Sequence, residues 1–268
     1  MPDFEIPGVG TLVYHEAGSG PEVVFLHSAL MDSRQWDREI REFADRCRVI
    51  AVDLPGFGQS SDPTRPLDPA DPLFSLMDHL GIARAHWVGS SLGGSIAIHA
   101  AIRNPQRVRS LFVAGTGMFG FVPNSVADEP PIYRAYEAAW EAHDIEAVIN
   151  TGASIWLDGL SPSPASITET ARQTFLGAYR DRLLNHPWSS PPFVLQNDME
   201  GVLRLEPPAM VVIGENDTDY CLALADWLQQ SVAAVTVHHM PGAAHFPNLS
   251  RPEEFRGLLR DWLRIHSA

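Results

Sequence analysis

Ala85-His86-Trp87-Val88-Gly89-Ser90-Ser91-Leu92-Gly93-Gly94 is the stretch from which the rest of this chain is read. A short strand pattern over 85–88 runs into a Gly-x-Ser-x-Gly pentapeptide, and an apolar helical pattern follows to residue 103. The spacing has a steric cause. A serine held on a sharp turn from strand into helix lifts its hydroxyl clear of the sheet. The turn is too tight for side chains two positions before and after the serine, hence Gly89 and Gly93. A helix that starts there also aims its first amides at developing negative charge. The pentapeptide alone is a weak signal; the strand before it and the helix after it give it weight. Ser90 is the rival, but its register would put Val88 and Leu92 where glycines are needed. Ser91 is therefore the candidate nucleophile, and Ser95, on the helix, is expected to pack.

Outward from this turn, short apolar runs alternate with helical patterns. Residues 12–15, 23–26, 49–52, 85–88, 108–114, 210–213 and 235–240 read as strands, several as the unbroken apolar runs expected of strands buried on both faces. Helices are expected over 34–43, 73–80, 92–103, 222–230 and 253–265. Asp32-Ser33 is a good N-cap pair for the first of these. This alternation implies an α/β protein with a mostly parallel sheet covered by helices. It breaks between about Met118 and Leu205, where Ala, Trp and Tyr recur at helical spacing around a Ser-Pro-Ser-Pro loop at 161–164. The expected organisation is a core domain from 1–117 and 206–268, with 118–205 inserted as a helical cap. A separate second domain is the alternative, although the sheet pattern needs both flanks to be complete.

A serine hydroxyl needs a base to become a useful nucleophile at neutral pH. Of the 11 histidines, His245 lies in a loop of small residues after the last strand, where an imidazole can reach back over the sheet edge. His238 and His239 fall within the strand itself. His15, His79, His86, His99, His143, His186 and His266 are expected at the surface or in packing. The carboxylate that orients the base is expected in Gly214-Glu215-Asn216-Asp217, after strand 210–213. Asp217 is the preferred candidate, with Asp219 and Glu215 as neighbours that could replace it. The chain order Ser91, Asp217, His245 suits a strand-to-helix serine of this kind. Two backbone amides are needed for the oxyanion: Leu92 follows the nucleophile, and Ala29 lies in the loop after strand 23–26. His27, Met118, Trp156 and Phe246 are expected to contact substrate.

Bulk properties narrow the classes. The net charge of −14 and pI near 5.1 argue against nucleic-acid and anionic-membrane partners. All 19 basic residues are arginines, so lysine Schiff-base chemistry is excluded. Cys47 and Cys221 stand in no metal or redox spacing. No metal and no cofactor is expected, and neither a leader nor a membrane span is read. The expected partner is a small-molecule substrate, for a cytoplasmic monomer or homodimer.

Leu26-His27-Ser28, Asp53-Leu54-Pro55-Gly56-Phe57-Gly58-Gln59-Ser60, Gly89–Gly94, and Gly214–Asp217 with His245 together resemble the α/β-hydrolase superfamily of esterases, lactonases and C–C hydrolases. The resemblance covers about two-thirds of the chain and implies an eight-stranded-type sheet. His27-Ser28 stands where the family usually has His-Gly. With Asp32-Ser33-Arg34-Gln35-Trp36, that block is similar to 3-oxoadipate enol-lactonases. The implied function is serine hydrolysis of an ester or lactone of a small, largely apolar substrate through an acyl-enzyme. Alternatives are a C–C hydrolase or perhydrolase with the same triad, or a ligand-binding receptor on the same fold. Trp140, Trp156, Phe175, Tyr179, Trp188 and Phe193 are candidates to line an apolar pocket in the cap, or to pack the cap on itself.

Overall fold

The computed structural model describes residues 2–123, 130–161, 163–189 and 191–267. Residues 124–129 of the expected cap and Pro162 of its Ser-Pro-Ser-Pro loop lie outside the described residues. Eight strands form one sheet: β1 (Asp3–Ile6), β2 (Gly10–Ala17), β3 (Glu22–Leu26), β4 (Arg48–Val52), β5 (Ala85–Ser90), β6 (Val108–Ala114), β7 (Ala209–Gly214) and β8 (Val235–Met240). Their order is β1-β2-β4-β3-β5-β6-β7-β8. β1 and β2 pair antiparallel, as do β2 and β4; all other pairs are parallel. This is the mostly parallel sheet that the strand–helix alternation predicts.

The α-helices are α1 (Asp37–Phe43), α2 (Asp71–His79), α3 (Leu92–Arg103), α4 (Pro131–Glu141), α5 (Ile145–Gly152), α6 (Glu169–Asn185), α7 (Met199–Val202), α8 (Asp219–Ser231), α9 (Pro247–Ser250) and α10 (Pro252–His266), with a 3₁₀ turn over Pro105–Arg107 and a π-helical turn over Ala153–Asp158 that continues α5. The helix expected over 34–43 is split: a 3₁₀ turn over Ser33–Trp36 precedes α1, capped by the Asp32 carboxylate accepting from the Arg34 N–H. β1 was not read from sequence. It is four residues long, at the sheet edge, and buries only Ile6 fully. Its charged alternate positions blunt an exposed edge and also erase the apolar-run signal.

The apolar runs of β3 to β7 are explained by burial on both faces. One cluster of core side chains, with Trp87, Val113 and Val211, packs against α2, α3 and α8. A second, with Phe25, Phe112 and Val212, packs against Phe43, Phe255 and Trp262 on the opposite side. Fully burying side chains of this size is worth about 1.5–3 kcal/mol each. A third cluster holds α4, α5 and α6 together through Val148, Ile149, Phe175 and Leu183, and it takes in Met31, Phe246 and Leu249 from the sheet side. The helices inserted between β6 and β7 thus share an apolar core with the loops at the end of the sheet.

The parallel strands end level with one another. Leu26 pairs with Gly89, Ser90 with Ala114, and Gly214 with Met240. The chain leaves β3 toward β4 on one side and leaves β5 toward β6 on the other. The crevice at the carboxyl ends of β3 and β5 is therefore the switch point where ligands of open α/β sheets bind.

Candidate active site

Ser91 stands at that crevice, half-buried between β5 and α3. Its φ of 52° and ψ of −114° are strained for a non-glycine residue. The strain is held by neighbours. The Ser91 N–H donates to the Ala114 carbonyl at 3.0 Å, and its own carbonyl accepts from the Ser95 N–H at 2.9 Å. Ser95 thus braces the turn through its backbone, and its hydroxyl also donates to the Ser91 carbonyl at 3.2 Å. A Cβ at Gly89 would come within 2.5 Å of the Gly93 carbonyl oxygen, and one at Gly93 would strike the carbonyls of Leu26 and His27. Both glycines are steric requirements of the turn. Ser90 ends β5 with a fully buried hydroxyl that has no hydrogen-bond partner among the described residues.

The Asp217 and His245 side chains meet at the ends of β7 and β8. The His245 Nδ1–H donates to Asp217 Oδ1 at 2.8 Å, which leaves Nε2 as the basic nitrogen. The Thr218 N–H donates to the same carboxylate oxygen at 2.7 Å. The His245 N–H donates to the Trp156 carbonyl at 3.2 Å, tying the base to the inserted helices. Burial depresses the imidazolium, but the adjacent Asp217 carboxylate outweighs it and raises the His245 pKa above its ordinary value. Of the rivals, Glu215 and Asp219 are exposed, His239 is exposed, and His238 lies 3.6 Å from Glu254.

The loop after β3 is shaped by Gln35 and His27. Gln35 Oε1 accepts the Ser28 N–H at 2.9 Å, and the Met31 N–H donates to the Ser28 carbonyl. The Ala29 and Leu92 amides have no acceptor among the described residues. Ala29 and Leu92 both line a cavity of about 770 Å³ between the sheet end and the inserted helices. Trp140, Tyr179, Trp188 and Phe193 form much of its wall.

Three of the four residues expected to contact substrate are buried and line neither this cavity nor the smaller one that Asp217 lines. His27 is wholly buried, and both ring nitrogens are engaged: the Leu54 N–H donates to Nε2 at 2.9 Å, and Nδ1–H donates to the Ser28 carbonyl at 2.7 Å. Burial lowers its pKa, in keeping with a neutral ring that braces the loop. Met118 is packed into the sheet core. Phe246 is fully buried, with its ring 5.4 Å from that of Phe175. Trp156 instead lines a smaller cavity of about 340 Å³, whose wall includes Asp217. Gln35 was missed as a loop brace, although it stands inside a block singled out by sequence; nothing local marks a side-chain amide as a backbone partner. Arg182, buried in the wall of the larger cavity, had no sequence signal.

Among the described residues Asp217, Cys221 and His245 could bring three ligand atoms to a metal ion. Two of those groups are spent on each other at 2.8 Å, and the third is a buried thiol whose pKa burial raises. The donor set suits proton transfer better than metal binding. Both cysteines are free and buried. Among the described residues no helix is long and apolar enough to cross a membrane.

A model of the alpha/beta hydrolase family matches residues 23–258. A pimeloyl-[acyl-carrier protein] methyl ester esterase of Chromobacterium violaceum is 31% identical over 256 residues, covering 93% of this chain and 97% of its own. A 2-hydroxy-6-oxononadienedioate/2-hydroxy-6-oxononatrienedioate hydrolase of Burkholderia vietnamiensis is 27% identical over 265 residues, covering 94% and 90%. Among solved structures, the enol-lactonase of Burkholderia xenovorans superposes with a TM-score of 0.74 at 20% identity, covering 98% of this chain and 100% of that one.

Proposed function

The chain belongs to the alpha/beta hydrolase family, and from that premise we propose that it is a serine hydrolase cleaving a carboxylic ester or lactone of a small, largely apolar substrate. The observation that carries this reading is the placing of Ser91 at the end of β5 and of the hydrogen-bonded Asp217–His245 pair after β7 and β8, at the carboxyl edge of one parallel sheet, with Ala29 and Leu92 lining the larger cavity there. Residues 118–205 act as the cap that shapes that cavity.

Ser91 Oγ attacks the carbonyl carbon while His245 Nε2 takes its proton. The carbonyl oxygen, now an oxyanion, is held by the Ala29 and Leu92 N–H groups, an interaction that is stronger in the transition state than in the ground state. The tetrahedral intermediate collapses, the alkoxide leaves with the proton from His245, and an acyl-Ser91 ester remains. Water then attacks that ester, giving its proton to His245; the second tetrahedral intermediate collapses with cleavage of the acyl–Oγ bond, Ser91 Oγ takes that proton back, and the acid departs. Asp217 keeps Nδ1 protonated and stabilises the imidazolium in both halves.

A C–C hydrolase reading uses the same residues and draws support from the Burkholderia vietnamiensis relative. The apolar wall of Trp140, Trp188 and Phe193 favours an ester or lactone with a hydrocarbon body. The proposed setting is a cytoplasmic monomer or homodimer acting on a small molecule without a cofactor, in keeping with two buried free thiols. Turnover of matched methyl esters, lactones and vinylogous diketones separates the readings. The proposal expects release of acid from esters or lactones; turnover of the diketones alone overturns it in favour of C–C cleavage.

A further inference from the structure

The apolar cavity includes a polar cluster in its lining. Arg182, on α6, is 7% exposed and lines the cavity. Its guanidinium lies 5.0 Å over the Phe57 ring and donates to the carbonyls of Pro187 at 2.7 Å and Ser189 at 3.2 Å. Among the described residues no carboxylate oxygen lies within 4.0 Å of it. Asp62 is the carboxylate whose field reaches it, and Asp62 is itself bonded to His186 at 2.8 Å. Burial accordingly lowers the Arg182 pKa. A guanidinium has five N–H donors and no acceptor, and a buried one is ordinarily paired.

Two hydroxyls adjoin it. Tyr179 sits one helical turn before Arg182 on α6, and its hydroxyl is 2.5 Å from that of Tyr136 on α4. In such a pair one O–H donates to the other oxygen, and the accepting hydroxyl keeps a proton of its own to give. Both tyrosines line the cavity with Arg182, and both feel its charge. A donor-rich corner without a carboxylate therefore shares one pocket with Ala29 and Leu92. Glu137 and Glu141 also line the cavity, but both are exposed to solvent.

We propose that Arg182, with the Tyr136–Tyr179 hydroxyl pair, anchors a carboxylate at the far end of the substrate's acyl chain, so that the preferred substrate is an ω-carboxy acyl ester with an apolar body. This rests on the serine-hydrolase reading above and names its substrate class. The carboxylate supplies the counter-charge that the fold does not give Arg182. The hydrocarbon between the two ends lies against the aromatic wall, and the ester carbonyl reaches the oxyanion amides.

The test uses methyl esters, whose alcohol is too small to fill the cavity. Monomethyl esters of dicarboxylic acids of six to ten carbons are compared with methyl esters of the matching monoacids, in which a methyl replaces the distal carboxylate. Wild type is expected to favour at least one carboxylate ester by about tenfold or more in kcat/KM, mostly through KM. In Arg182→Met this ratio falls to near one, and Arg182→Lys keeps part of it. A purely structural Arg182 lowers both rates together and leaves the ratio where it was, which overturns the proposal. So does a wild-type enzyme indifferent to the carboxylate at every length. Binding to the Ser91→Ala variant, read by fluorescence of Trp140 and Trp188 in the cavity wall, gives the same ratio without turnover. Tight carboxylate binding that Arg182→Met abolishes, with no ester hydrolysed by wild type, sinks the hydrolase reading and keeps the anchor. Equal binding of both esters sinks the anchor alone.

Discussion

At His245 the single bond to Asp217 sets two properties at once. It fixes the tautomer, so that Nε2 is the free base, and it raises the proton affinity of the ring against the effect of burial. The active base is the neutral, deprotonated imidazole, so kcat/KM should rise with pH through the His245 pKa. Asp217→Asn removes the charge that raises that pKa. We expect its rising limb to move to lower pH and its plateau to fall by about 10³–10⁴-fold, measured as kcat/KM against pH on a simple ester. A limb that stays in place would show that another group sets it. The catalytic candidates were readable because each stands at a fixed distance from a recognisable strand. The supporting residues were not. His27 looked like a substrate contact from its place in a loop, whereas both its nitrogens serve the backbone of that loop. Such roles depend on which way a side chain turns, and spacing does not encode it.

At the scale of elements, the junction of β5 and α3 is the most constrained part of the fold. It holds a strained serine, and α3 starts so close to β3 that the Gly93 N–H donates to the His27 carbonyl at 3.1 Å. A Cβ at residue 93 would meet the backbone carbonyls of Leu26 and His27, neither of which can retreat without breaking β3 from its neighbours. Gly93→Ala should therefore cost about 3 kcal/mol or more, read from the urea midpoint. A loss below about 1 kcal/mol would mean that the turn is looser than described. The strands were legible because burial on both faces writes an unbroken apolar run; β1, at the edge, writes none. α3 was read to its residue bounds because its glycines and apolar positions repeat without interruption. The cavity was not legible, since its wall joins α4, α6 and loops far apart in sequence.

At the scale of the molecule, two of the contacts that fasten the inserted segment to the rest of the fold bear on stability. One is the shared apolar cluster around Phe175 and Phe246. The other is polar: His99 of α3 bonds Asp198, before α7, at 2.9 Å and Asp68, before α2, also at 2.9 Å. Burial disfavours the charged ring, but the two carboxylates outweigh it and raise the His99 pKa. A folded pKa above the unfolded value contributes stability that is full below the unfolded pKa and is lost as pH rises through the folded one. His99→Gln should thus cost about 3–5 kcal/mol near pH 6, with a gap to wild type that narrows at higher pH, measured by urea unfolding across the range. A gap that is constant with pH would assign His99 to packing alone. These attachments hold the inserted segment over the sheet end where Ser91 is the proposed nucleophile. Labelling with a fluorophosphonate, followed by peptide mapping of the adduct, tests this most directly in wild type, Ser91→Ala and Ser90→Ala. The expected result is an adduct on Ser91 in wild type and in Ser90→Ala, and none in Ser91→Ala; equal labelling of Ser91→Ala, or an adduct mapped to Ser90, would contradict it.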